Sequence, residues 1–339
     1  MSQTSALPSR LERCVAAFLG LAIGDAYGRP LEFMGGDEVR RSAVDVRRGD
    51  SNWSLKSWSG ALALPPFRWT DDTHMALYLA RAVQSCALAF DDDAFGRAVG
   101  EAFIAWAEDP LMPFTAPGNT CLAGVSAYRH GRDWRTSGVA TSDGCGAVMR
   151  IAPLAMAYSN SVLTRAADIS SRVTHAHPNA REAAIAASHI LAWVLDGSSL
   201  DATLLHRAVA HLDSAHPESW SRGGDVARSL VTALDLAIDT TSQWLDDARV
   251  WPGDGGWRSG SALGLALAAA LRWQSDARLA IDRAARIDGD SDSVACLTGM
   301  FLGATGGLAA LPPHLVAATM AREEIEEVAL ACGRLHDGA

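Results

Sequence analysis

Apolar residues recur every three to four positions through most of this chain, and that spacing limits the folds open to it. The period places one apolar stripe along a helix, whereas a half-buried strand needs an alternation of period two, which is nowhere sustained. No repeat of fixed length indicates a solenoid. The pattern predicts an all-α fold, with helices at 10–23, 73–86, 92–108, 119–130, 147–158, 161–174, 180–197, 201–212, 224–240, 260–274, 276–287, 293–306 and 323–335.

Length and composition predict one globular domain. The 339 residues are 49% hydrophobic and 20% charged, a balance typical of a chain that buries a large core. Because no low-complexity linker divides the chain, residues 10–336 are predicted to form a single domain. No apolar run is long enough to cross a membrane, and the run 15–23 lacks a signal-peptide cleavage pattern, which favours a cytoplasmic location.

The charge balance and the cysteines argue against several classes of protein. Lys and Arg number 29 against 39 Asp and Glu, and the net charge of −10 disfavours a surface that coats nucleic acid. A small phosphorylated ligand stays open, because backbone N–H groups and a metal can hold phosphates without basic side chains. The six cysteines include no C-x-x-C pair and predict small, buried, reduced thiols.

Two acidic motifs each lead directly into a predicted helix. The first, Trp69-Thr70-Asp71-Asp72-Thr73, would in part be a helix cap, since Thr70 is a good N-cap and acidic residues suit a first turn. The second, Asp288-Gly289-Asp290-Ser291-Asp292-Ser293, is not an EF-hand loop, because Ser293 and Gly299 stand where Gly and Glu are required. Capping is an alternative for each motif taken alone.

Together, the two motifs predict a metal centre. Carboxylates that converge in a low-dielectric site repel one another, and two divalent cations roughly 3.5–4 Å apart would neutralise them. Carboxylate and hydroxyl oxygens are the hard ligands that Mg²⁺ and Mn²⁺ prefer. A pair of such cations can lower the pKa of a bound water, so the chemistry indicated is hydrolysis.

Three further segments carry possible site residues. Gly144-Cys145-Gly146 before Arg150 is either a phosphate-binding loop or a tight turn, and Arg150 either pairs structurally or contacts ligand. In Thr174-His175-Ala176-His177-Pro178, His175 is either structural or in contact with a ligand. The small residues of 20–28 suit close helix packing, and Asp25 and Glu32 are carboxylates without a role in that packing.

The chain resembles the ADP-ribosylglycohydrolase family over about residues 12–310. The resemblance rests on the order of its motifs, which are Gly-Asp-Ala-x-Gly-x-x-x-Glu, Trp-Thr-Asp-Asp-Thr, Gly-Asn-Thr, Gly-Cys-Gly-x-x-Met-Arg-x-x-Pro, Thr-His and Gly-Asp-Ser-Asp-Ser. It implies an orthogonal multi-helix bundle with a dinuclear Mg²⁺ or Mn²⁺ site in a central ADP-ribose cleft. The implied activity is release of ADP-ribose from a protein side chain or small molecule by cleavage of a glycosidic bond.

Carried over by position, the resemblance implies roles for individual residues. Glu32, Asp72 and Asp292 would be the catalytic residues, with Glu32 or Asp292 as the proton carrier, and Glu32 would match a mobile glutamate near the metals. Asn119 would lie near the distal ribose, and His175 along the ligand. The phosphates would be cradled by Gly144, Cys145 and Gly146. The metal ligands would be Thr70, Asp71, Asp72, Asp290, Asp292 and Ser293.

One departure from the family pattern and several alternatives bear on the substrate. Arginine-specific members tend to carry an acidic residue just before Gly-Asn-Thr, where this chain has Thr115-Ala116-Pro117. A catalytically silent ADP-ribose-binding or structural member is one alternative, and a dinuclear hydrolase of another phosphorylated nucleoside is a second. The acceptor and the oligomeric state stay open, and the loop 50–69 is predicted to shape acceptor choice.

Overall fold

The computed structural model describes residues 8–33, 67–86, 90–215, 224–238 and 254–336. Extended pairing within these ranges is limited to two isolated bridges, Val139 with His175 and Gly144 with Arg258. The described α-helices are α1 (Arg10–Gly28), α2 (Asp71–Ser85), α3 (Asp92–Glu108), α4 (Asn119–Arg129), α5 (Ala152–Ala157), α6 (Asn160–Arg172), α7 (Pro178–Leu195), α8 (Ala202–Ala215), α9 (Asp225–Ile238), α10 (Ser259–Arg272), α11 (Ala277–Ala284), α12 (Ser291–Gly306), α13 (Pro313–Ala318) and α14 (Arg322–His336).

Helices α1 and α12 pack against each other in the middle of the core. Both are buried along almost their whole length, and glycines let their backbones touch. A Cβ atom placed on Gly24 would lie 1.9 Å from the Ala295 carbonyl oxygen, and one on Gly20 would lie 2.1 Å from that of Gly299. The same contact brings Gly28, the last residue of α1, against the first residues of α12. The end of one helix therefore adjoins the acidic start of the other.

The all-α prediction is confirmed, and its errors lie at short elements. The helix predicted over 147–158 is wrong in its first half, because Cys145–Ala147 forms a 3₁₀ turn and α5 begins only at Ala152. Pro153 occupies the first turn of α5, the position where a missing N–H costs least. Helix α13 went unpredicted, since its six residues are too few to show a period.

The structure also bears on the predictions made for membrane spans and for cysteines. No helix within the described ranges is both long and apolar enough to span a bilayer. All six cysteines are free thiols, five of them buried and Cys86 partly so, as predicted. The single domain over 10–336 stays a prediction. Most of the loop 50–69, together with residues 239–240 at the end of one predicted helix, lies outside the described residues.

Candidate active site

The two acidic helix starts meet in one buried cluster. Burial raises the pKa of Asp72 well above its usual range, and the negative charges of Asp25, Asp71 and Asp290 raise it further. The pKa of Asp292 is raised by burial and then by Glu32, among other carboxylates. Carboxylates raise one another's pKa in this way only over short distances, so both motifs contribute to one site.

Helix capping accounts for only part of this arrangement. The Thr70 hydroxyl accepts a hydrogen bond from the Asp72 N–H at 3.4 Å, as a cap should. Asp290 occupies the N-cap position of α12 without making a capping bond, and its Oδ2 instead accepts from the Cys145 thiol at 3.0 Å. Oδ2 of Asp72 is buried and has no hydrogen-bond partner in the described part of the chain. Asp72 therefore keeps a buried oxygen that no hydrogen bond of the described residues uses.

Asp25 belongs to the same cluster, although the sequence suggested no role for it. Its carboxylate accepts hydrogen bonds from the Thr70 N–H at 2.8 Å, the Thr73 N–H at 3.0 Å and the Thr73 hydroxyl at 2.6 Å. Burial raises the pKa of Asp25 to about 6, against the lowering effect of these bonds. Asp25 thus ties the start of α2 to α1. No local pattern reveals this link, which depends on α1 and α2 meeting.

Glu32 lies at the edge of the cluster, just after α1. Burial, followed by the charges of Asp290 and Asp25, raises its pKa to about 7, while Arg29 lowers it. Phe33 adopts a left-handed backbone conformation with φ of 52°, and its N–H donates to the Gly289 carbonyl at 2.7 Å. A bulky residue in that region is strained, and such strain is concentrated at functional segments. The segment after α1 is therefore held against the acidic turn before α12.

The loop 115–118 covers the other side of the cluster. The Asp71 N–H donates to the Thr115 carbonyl at 2.7 Å, and the Gly118 N–H donates to Asp71 Oδ2 at 3.0 Å. Ala116 has a φ of 53°, a second strained residue beside the site. Asn119 follows as the exposed first residue of α4. No acidic side chain stands in 115–118, so this loop adds no carboxylate to the cluster.

The glycine loop 144–146 borders a small space beside the acidic cluster. A Cβ atom on Gly144 would be 3.5 Å from Ser142 Oγ, 3.6 Å from His175 Nε2 and 3.8 Å from the Trp257 indole. The Cys145 N–H already donates to the Trp257 carbonyl at 2.9 Å, so it does not face this space as a free donor. The Cys145 thiol also approaches Ser293 Oγ at 3.4 Å. The loop therefore joins the predicted nucleotide side to the predicted metal ligands.

Two histidines and one tryptophan lie on segments that adjoin the site or were predicted to do so. His175 is almost fully buried, and burial with the nearby charge of Arg150 lowers its pKa to about 3, so the ring is neutral. The His177 ring caps α7 by accepting from the Asn179 N–H at 3.2 Å, a structural role. Trp257 is 44% exposed beside Gly144 and was not singled out from the sequence. Its place in a glycine-rich loop was the available signal.

The acidic cluster suits cations by its charge and donor types rather than by a preformed set of ligands. The described residues include no group of three or more His, Cys, Asp or Glu side chains arranged so that it could hold a metal ion as it stands. The chemistry nevertheless suits hard cations, because buried carboxylates with mutually raised pKa values and an unpartnered oxygen require positive charge or protons. The site fits such ions by charge and donor type.

Comparison with known proteins places the chain among enzymes of one kind. The family model described as ADP-ribosylglycohydrolase matches residues 6–339. The ADP-ribosyl-[dinitrogen reductase] glycohydrolase of Rhodospirillum rubrum is 31% identical over 58% of this chain and 62% of that protein. ADP-ribosylarginine hydrolase Tri1 of Serratia proteamaculans is 26% identical over 94% and 78%. A solved chain of an ADP-ribosylglycohydrolase-related protein complex superposes with a TM-score of 0.69 at 26% identity, covering 97% of this chain and 99% of that one.

Proposed function

The chain belongs to the ADP-ribosylglycohydrolase family, and from this premise we propose that it hydrolyses the bond between ADP-ribose and an acceptor with the help of two divalent cations. Family membership and the names of its relatives make it a glycosidic-bond hydrolase. The metal dependence, the residues and the acceptor are the proposal. One observation carries it, namely the convergence of six acidic side chains, Asp25, Glu32, Asp71, Asp72, Asp290 and Asp292, in one buried cluster.

Two Mg²⁺ or Mn²⁺ ions would be held by residues from both helix starts. Support comes from the unpartnered Oδ2 of Asp72 and from the raised pKa values of the carboxylates, since an ionised buried cluster is costly without positive charge. When bound, such ions polarise hydroxyl groups and lower the pKa of a bound water. The proposed ligands are Thr70, Asp71, Asp72, Asp290, Asp292 and Ser293.

Glu32 is the proton carrier that the site supports best. A general acid or base works most efficiently with a pKa near the working pH, and burial raises the pKa of Glu32 in that direction. It is only partly buried, so it can exchange protons with solvent, whereas Asp72 and Asp292 are buried. Asp72 and Asp292 therefore serve mainly as ligands in this proposal, and Glu32 transfers the proton to the departing acceptor or from the attacking water.

The nucleotide part of the substrate is proposed to bind over the glycine loop. The space beside Gly144 is bordered by the His175 ring, the Ser142 hydroxyl and the half-exposed Trp257 indole. A glycine at 144 keeps this space open to a ligand. An aromatic face and polar donors around a concave site suit a flat base or a sugar with its phosphates.

The acceptor is a separate question. Two relatives are named for arginine-linked or dinitrogen-reductase-linked substrates, yet the loop 115–118 here carries no carboxylate to pair with a guanidinium. We therefore propose an acceptor that needs no acidic partner from this loop. Cytoplasmic location stays a prediction.

The test is a release assay on the full chain. Arginine-linked, serine-linked and small-molecule ADP-ribose substrates would each be incubated with Mg²⁺, Mn²⁺ or a chelator, and free ADP-ribose measured by mass spectrometry. Asp72→Asn and Asp290→Asn should each lower turnover by at least roughly a hundredfold, since even outer-shell partners of metal ligands are worth about 10- to 100-fold.

The exposed carboxylate of Glu323 offers a matched control, because Glu323→Gln also removes one negative charge but from an exposed side chain that is not part of the buried cluster. Mn²⁺ binding followed by electron paramagnetic resonance gives a readout besides activity. Parent-like release by Asp290→Asn, or release unaffected by the chelator, would refute the metal proposal. Release from the arginine-linked substrate alone would refute the acceptor proposal.

A further inference from the structure

Arg150 is completely buried, yet no carboxylate in the described ranges lies within ion-pair distance of it. Its Nη2 donates to the Ser170 carbonyl at 3.0 Å and to the Thr174 hydroxyl at 2.7 Å. The guanidinium also stacks 4.4 Å from the centre of the Phe103 ring. Burial of a charge without an ion-pair partner is costly, and the contacts of the Arg150 guanidinium offset only part of that cost.

The bond to Thr174 fixes the direction of the next hydrogen bond. A guanidinium can only donate, so the Thr174 oxygen is the acceptor in that bond. Within the described residues, the other hydrogen-bond partner of this oxygen is His175 Nδ1 at 2.9 Å, and Thr174 is completely buried. If Nδ1 were the donor, the buried hydroxyl hydrogen would have no acceptor, which is unfavourable. The hydroxyl therefore donates to Nδ1, and the ring hydrogen resides on Nε2.

Nε2 faces the space over the glycine loop. It would lie 3.6 Å from a Cβ on Gly144 and 3.2 Å from one on Gly146, and the hydrogen bond that the described residues make to this ring is through Nδ1. The ring is neutral, because burial and the Arg150 charge lower the pKa of His175 to about 3. A neutral ring with Nδ1 engaged presents a single N–H donor to this space.

We propose that Arg150 and Thr174 are positioning residues, whose hydrogen-bond relay holds His175 in the Nε2–H tautomer and aims this N–H at an acceptor oxygen of the bound ligand. That the oxygen belongs to ADP-ribose rests on the proposed function. A fixed donor selects phosphate, ether or carbonyl oxygens at this point and disfavours ligand groups that can only donate. Arg150 thus acts on the ligand through two other residues, without touching it.

The first experiment measures the tautomer directly in the full chain. Two- and three-bond ¹H–¹⁵N couplings in histidine-labelled protein distinguish the Nε2–H from the Nδ1–H form, and His175→Asn identifies the signal among the ten histidines. The expected result is Nε2–H at neutral pH. An Nδ1–H or protonated ring in the parent protein would overturn the relay, and this measurement requires no folded variant of Thr174.

The second experiment separates the relay from simple packing. Thr174→Val keeps the shape of the side chain but removes the hydroxyl, whereas Thr174→Ser keeps the hydroxyl. We expect Thr174→Val to lose the single tautomer and to bind ADP-ribose roughly three- to tenfold more weakly by calorimetry, the worth of one neutral hydrogen bond. Thr174→Ser should stay within about twofold of the parent, a margin well below that one bond.

The outcomes distinguish this inference from the proposed function. Thr174→Val protein with a parent-like tautomer and parent-like affinity would overturn the relay. A parent protein that shows the Nε2–H form but has no affinity for ADP-ribose would refute the proposed ligand and leave the relay supported.

Discussion

Replacing Gly24 by alanine would add one methyl group to the closest contact between α1 and α12. The new Cβ would lie 1.9 Å from the Ala295 carbonyl oxygen and 2.4 Å from its carbon, and real Cβ atoms essentially never come within 3.0 Å of such atoms. Both partners are backbone, so no side chain can rotate away. At least about 1 Å of separation must therefore come from movement of the helices themselves.

The expected cost follows from two opposing effects. Forced overpacking of a core costs about 3 kcal/mol at the upper end of its usual range, which applies here because backbone must shift. Alanine is better than glycine in a helix interior by about 1 kcal/mol. The variant should therefore lose about 2 kcal/mol of unfolding free energy.

Activity should fall further than stability suggests. The start of α12 carries Asp290 and Asp292, and α1 carries Asp25, which holds the start of α2. A shift of about 1 Å between the two helices displaces these groups relative to one another, and misplacement of that size can lower catalysis by roughly a hundredfold.

Urea unfolding followed by circular dichroism would measure the stability change, and ADP-ribose release the activity. Gly260→Ala in α10 is the control, because its nearest neighbour would be the Ser229 hydroxyl at 3.3 Å, a side-chain atom that needs to move by only a few tenths of an ångström. Because alanine is preferred to glycine in a helix, this control should match the parent or be up to about 1 kcal/mol more stable. If Gly24→Ala unfolds and turns over like Gly260→Ala, the helices are not in backbone contact and the reasoning fails.

Three shorter predictions address other parts of the molecule. Trp257→Ala should raise the Kd for ADP-ribose by about tenfold with little change in unfolding free energy, since the indole is half exposed; unchanged affinity in calorimetry would remove it from the ligand site. Burial and the charges of His211 and Arg207 lower the pKa of His189 to about 3. The contribution of the neutral His189 ring to the unfolding free energy is therefore complete above pH 6.5 and is lost as the pH falls from 6.5 towards 3. In this pH range the parent should lose up to about 1.4 kcal/mol of unfolding free energy per pH unit because of His189. The unfolding free energy of His189→Gln should fall less steeply with pH, and a steeper fall would contradict the lowered pKa of His189. Asp25→Asn, which replaces an acceptor of three hydrogen bonds by an amide, should destabilise the protein by about 2 kcal/mol in urea unfolding, and a parent-like midpoint would show that the start of α2 needs no such anchor.

The helices and the acidic motifs could be predicted because they depend on near neighbours in the chain. An apolar stripe and a cap involve residues three or four positions apart, so Asp71, Asp72, Asp290 and Asp292 were recognisable at helix starts. The exceptions confirm this reason. A six-residue helix at Pro313–Ala318 is too short to carry a period, and the turn at Cys145–Ala147 directly follows the pairing of Gly144 with Arg258, a residue distant in the chain.

The sequence by itself determined the helical class, the family resemblance and the chemical types available to the site. Only the tertiary structure decided that Asp25 anchors the start of α2, that Trp257 stands beside Gly144 and that Arg150 reaches His175 through Thr174. Each of these links joins residues on separate elements. Their distances depend on how closely whole helices pack, which is a property of the folded core and leaves no periodic trace along the chain.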